Sequence, residues 1–87
     1  MADPQIKQTI YHILKMGYFN GPDDLVDVSD GPEDSIHLVI VSRKFDGKRW
    51  KEKSDLIWAQ LFVHLAKHEW GKVSLSIGTS PEEIKAT

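Results

Sequence analysis

Apolar residues along this chain of 87 residues change their spacing several times, and each change predicts an element. Ile6, Ile10, Ile13 and Leu14 recur at helical spacing behind Asp3-Pro4, where a carboxylate can cap and a proline can take the first helical position. Gly17 ends that run. Tyr18, Phe19 and the turn Asn20-Gly21-Pro22 lead into Leu25, Val26 and Val28, a short strand with Asp27 turned outward. Ser29 to Ser35 is polar throughout and rich in turn formers, which predicts a loop joining two antiparallel strands. Ile36, Leu38, Val39, Ile40 and Val41 are mostly β-branched and apolar on both faces, so the strand over 36–42 belongs at the centre of a sheet.

Phe45-Asp46-Gly47 then makes a turn, with Asp46 placed to cap a short helical turn through Trp50. Ser54 is a second start signal; Ile57, Trp58, Leu61, Phe62 and Leu65 follow it, and the run ends at Gly71. This predicts a principal helix of about four turns with one apolar face. Val73, Leu75 and Ile77 alternate with Ser74 and Ser76, the pattern of a strand with one wet face. Ser80-Pro81-Glu82-Glu83 is a capping box with proline at the first helical position, so a short final helix follows. The order α-β-β-α-α-β-α places the chain in the α+β class. We expect a single domain over residues 1–87, a three-stranded sheet with helices packed on one face, and no repeats or low-complexity segments.

Charge changes this picture at one place. The formal net charge is −2, yet Arg43, Lys44, Lys48, Arg49, Lys51 and Lys53 fall within one short segment, opposed there only by Asp46, Glu52 and Asp55. With a pI near 6.0, any nucleic-acid binding must come from such a local patch and not from the molecule as a whole. The chain has no cysteine, which removes disulfides, thiolate metal sites and a Cys nucleophile. Its first residues lack the basic and apolar regions of a secretory signal, and no apolar run approaches the roughly 18 residues needed to cross a bilayer. A soluble cytoplasmic protein with no membrane partner is the expectation.

The stretch over 35–62 resembles the BolA family. The likeness runs through Ser35-Ile36-His37-Leu38-Val39-Ile40-Val41-Ser42, Phe45-Asp46-Gly47-Lys48 and Leu56-Ile57-Trp58-Ala59, and resumes at Leu75-Ser76-Ile77 and Thr79-Ser80-Pro81-Glu82-Glu83. It implies a fold similar to the second type of KH domain without the Gly-x-x-Gly loop that clamps a nucleic-acid backbone, and here Gly47 is followed by Lys48, Arg49 and Trp50. It also implies transcriptional regulation through DNA and partnership with monothiol glutaredoxins, sometimes through a shared iron–sulfur cluster. The chain departs from the family at the cluster ligands. Ser54 stands within the family's basic-His-basic triplet and Val73 replaces its later histidine, while residues 29–35 hold neither His nor Cys. We therefore expect no cofactor.

Other candidate chemistry is sparse. The basic segment can grip phosphates with Trp50 stacking on a base; the competing reading is a solvated helix face with Trp50 folded into the core. Six cations bound the number of phosphate contacts, so binding would be weak and salt-dependent. His64 and His68 have the spacing that presents two imidazoles to one metal, against a plain packed or surface pair. His37 is expected to serve the sheet, and His12 is an isolated helix residue. Asp23, Asp24, Asp27, Asp30, Glu33 and Asp34 lack the spacing of a calcium loop and read as a solvated acidic segment that would orient a polyanion toward the opposite pole. No Gly-x-Ser-x-Gly elbow, phosphate loop or Ser-His-carboxylate arrangement is present. The expected function is a non-enzymatic regulatory or adaptor domain binding DNA or RNA through residues 43–53. The alternatives are a module docking a glutaredoxin or other protein without supplying ligands, and a metal carrier using the His64 and His68 pair.

Overall fold

The computed structural model describes residues 1–85. Asp3 caps the first helix, α1 (Pro4–Ile13), its carboxylate accepting the Gln5 N–H at 2.8 Å. The chain then widens into a π-turn, Leu14–Tyr18, closed by the Phe19 N–H on the Leu14 carbonyl at 2.9 Å. That turn brings Phe19 into the core, where it is fully buried.

Strands β1 (Leu25–Asp30), β2 (Ile36–Val41) and β3 (Val73–Thr79) form a sheet in the order β1-β2-β3, so β2 is central as its two apolar faces predict. β1 runs antiparallel to β2, with Leu25 opposite Val41 and Asp30 opposite Ile36. Ser29 and Asp30 thus belong to the strand rather than the loop, and a tight turn over Pro32–Asp34 makes the connection. β3 runs parallel to β2. A parallel pair needs a long crossover, supplied by α2 (Trp50–His64) and α3 (Lys67–Trp70); α4 (Pro81–Lys85) follows β3.

The predicted order of elements holds, but the two middle helices divide elsewhere. There is no separate helical turn ending at Trp50; Trp50 opens α2, and Ser54 lies inside it. The start is stabilised from within the helix, the Glu52 carboxylate accepting the Arg49 N–H at 2.8 Å. The helix also stops before Gly71. Leu65 and Ala66 are extended, which turns Leu65 into the core, and Glu69 accepts the Ala66 N–H at 2.8 Å to start α3. The capping box before α4 forms as its sequence predicts, with Ser80 and Glu83 exchanging bonds at 3.2 and 3.0 Å.

Ile10, Leu14, Phe19, Ile36, Leu38, Ile40, Phe45, Ile57 and Leu61 are fully buried between one sheet face and the helices. The largest surprise is β3. A bulge beside Ile36 and His37 pairs Val73 with Ile36 but Leu75 with His37, so the strand's alternation reverses. Ser76 and Gly78 pair with the core residues Leu38 and Ile40, while Leu75 and Ile77 stay 42% and 43% exposed. Large rings from elsewhere take the space. Trp58 on α2 donates its indole N–H to the Ser76 hydroxyl at 3.1 Å, and a Cβ built on Gly78 would lie 2.8 Å from the Phe45 ring.

Candidate nucleic-acid interface

The basic segment occupies the connection from β2 to α2 and the first turns of α2. Ser42, buried at the end of β2, organises its start: the hydroxyl accepts the Lys44 N–H at 3.1 Å and donates to the Asp24 carboxylate at 2.8 Å. A single helical turn, Arg43–Phe45, follows, with Phe45 buried and Arg43 exposed. Gly47 then reverses the chain at a φ of 71°, a backbone region that favours glycine. Lys48 and Arg49 lead to the start of α2.

The six basic side chains separate into three kinds. Arg43, Lys48 and Arg49 are exposed and make no ion pair among the described residues. Lys51 is exposed but lies 3.1 Å from Asp55 one helical turn on, a pairing that water screens. Lys44 and Lys53 are anchored. The Lys44 ammonium sits 3.2 Å from the Asp24 carboxylate and 5.4 Å from the centre of the Tyr18 ring. Burial pushes the Asp24 carboxyl up, but hydrogen bonds from Ser42, Gly21 and Lys44 outweigh it and hold the group below its ordinary value.

Lys53 departs from the expectation that it presents charge to a ligand. Its side chain is buried, and its ammonium lies 2.6 and 2.7 Å from the two Glu83 carboxylate oxygens at the start of α4. The hydrogen bond from Lys53, then that from the Ser80 N–H, draws the Glu83 carboxyl below the ordinary value of 4.5. The physical cause is helix geometry: Lys53 stands four residues before Ile57 and eight before Leu61, on the stripe that α2 buries. Lys53 therefore leaves the candidate surface.

Trp50 is 81% exposed, which overturns the reading that folded it into the core. As the first residue of α2 it precedes the buried stripe, and Phe45 fills the core at this end of the sheet. The other two tryptophans are held. Trp58 and Trp70 pack with Phe62 at centroid separations of 5.0 to 6.3 Å, an aromatic cluster not foreseen from sequence, where α2 and α3 were read as one helix.

The acidic residues divide between the two ends of the sheet. Asp24 touches the basic segment itself, whereas Asp30 lies opposite Ile36 at the far end of β2, beside the turn that holds Glu33 and Asp34, and pairs with Lys7 on α1 at 2.8 Å. The histidine pair is divided, because His64 ends α2, His68 lies in α3, and extended residues separate the two. Among the described residues no group of three or more His, Cys, Asp or Glu side chains comes together in a way that could hold a metal. The positions where the family places cluster histidines do not fit an iron–sulfur group either: Val73 is buried in the core, and Ser54 is a half-buried hydroxyl within α2.

A small mixed sheet with a central β2, helices on one face and a crossover from β2 to β3 defines a BolA-like α+β fold. Among solved structures the chain is similar to BolA1 from Arabidopsis thaliana, with a TM-score of 0.60 and 13% identity over 90% of this chain and 94% of that one. Neither the protein-family models nor the curated proteins give a match to the sequence. Among the described residues, no helix is long and apolar enough to cross a membrane.

Proposed function

We propose that this chain is a non-enzymatic regulatory or adaptor domain that contacts nucleic acid through the turn and helix start formed by Arg43, Lys48, Arg49 and Lys51. The observation that carries this reading is an indole, 81% exposed, placed directly after Lys48 and Arg49, which like Arg43 are exposed and make no ion pair among the described residues. Clustered free cations attract a phosphate backbone and release its counterions, while an exposed ring gives a base a face to stack on. Three or four phosphate contacts make the interaction weak at physiological salt. Affinity for a duplex should fall about 100-fold between 50 and 200 mM salt.

A labelled-oligonucleotide titration at those two salt concentrations tests the proposal. Joint replacement of Arg43, Lys48, Arg49 and Lys51 by glutamine should abolish salt-sensitive binding, and unchanged affinity in that variant would sink it. A second reading is favoured by a different surface. Leu75 and Ile77 remain exposed on the sheet face away from α1 and α2, which suits a protein partner such as a monothiol glutaredoxin docking without ligands from this chain. Pull-down of a glutaredoxin that survives nuclease and is lost on Leu75→Ser would support that reading over the first.

A further inference from the structure

Resting on the nucleic-acid reading just given, we infer that the turn and helix start bind single strands in preference to duplex, with Trp50 as the stacking platform for one unpaired base. The chain leaves this tryptophan 81% exposed while it ties the other two into a packed cluster through ring contacts and the Ser76 hydrogen bond. Exposed tryptophan is uncommon because burial of its large apolar surface is favourable, so a free ring flanked by cations points to a ligand with a flat face. Within residues 43–53 it is the sole large apolar side chain exposed, and its neighbours in sequence, Arg49 and Lys51, are charged. A protein-docking patch places its aromatic anchor among other apolar groups. Along the chain Trp50 stands among charges instead.

The choice between strand forms follows from where base faces lie. In a duplex they are stacked on one another, so an indole reaches them only by prising a step apart. In a single strand each base offers its face without that cost, and an Arg or Lys on either side can hold the flanking phosphates. Trp50 stands three residues after Gly47, so the ring follows directly on the reversal that this glycine makes. Binding through a ring predicts tolerance of base identity. It also limits the footprint to the few nucleotides that one aromatic and three or four cations can engage.

The test uses the full chain with a labelled mixed-sequence 12-nucleotide strand and the same sequence as duplex, both at low salt. The single strand should bind more tightly, and Trp50→Ala should weaken it by roughly 5- to 150-fold, the range set by losing one stacked base, while duplex affinity stays the same. Trp50→Phe should keep part of the preference. Tryptophan emission should be quenched by the strand in the parent chain and not in Trp50→Ala. Equal affinity for both forms, or an equal loss for both on Trp50→Ala, would overturn this inference and leave the charge-based contact standing. Binding to neither form would overturn both.

Discussion

Lys53 shows how one residue changes meaning once its helix is known. By composition it belongs with Arg49 and Lys51, and by spacing it belongs with Ile57 and Leu61; the second relation wins, because the helix starts at Trp50. Glu52 carries the missed signal, a carboxylate placed to accept the N–H of a residue three positions earlier where no Ser, Thr or Asp cap is available. The Lys53–Glu83 contact then joins α2 to α4, and its effect on stability has a defined sign. Glu83 titrates below 4.5 in the folded chain, so its share of stability is complete above that value and is lost as pH falls through the lowered one. Asp24 and Asp30, also held low, act in the same direction below their ordinary 3.8. Urea midpoints measured from pH 7 to pH 3 should therefore fall in the acid range, and Lys53→Met should shrink that fall without removing it. A variant with the parent's full pH dependence would show that the pair contributes nothing.

At the scale of elements, β2 and the capping box before α4 were legible because local pattern and tertiary environment agree there. β3 was misread because they do not. Alternation over Val73, Leu75 and Ile77 marks a strand, but it cannot tell which side is inside once a bulge at its start shifts the register by one. The deciding groups, Phe45 and Trp58, lie far away in sequence and fill the space that larger residues on β3 would need. Substitutions separate the two arrangements. Gly78→Ala should cost about 1–3 kcal/mol, because the new methyl group would overpack against the Phe45 ring. Leu75→Ser should cost less than about 1 kcal/mol, as a half-exposed side chain outside the core. Denaturant midpoints give both numbers. A loss of about 2–5 kcal/mol at Leu75, the range for truncating a buried leucine, would return it to the core and remove the reversed register.

For the whole molecule, the layered α+β architecture follows from the sequence, whereas the division of its cations into free and occupied does not, because each partner comes from a distant segment. Asp24 reaches Lys44 from the loop before β1, and Glu83 reaches Lys53 from α4. With a net charge of −2, the chain as a whole does not attract a polyanion, so the response to salt counts only the cations that meet phosphate. This makes the salt slope a map of the surface. Arg49→Gln should lower the slope of log K against log salt by about 0.7 for a single strand, one counterion's share. Lys53→Met, though it removes the same formal charge, should leave the slope unchanged and alter only stability. The two variants thus cancel equal charge with different outcomes if contact governs binding. Equal reductions in slope would mean that overall charge drives the interaction, and the turn ahead of α2 would then lose its claim to be the contact surface.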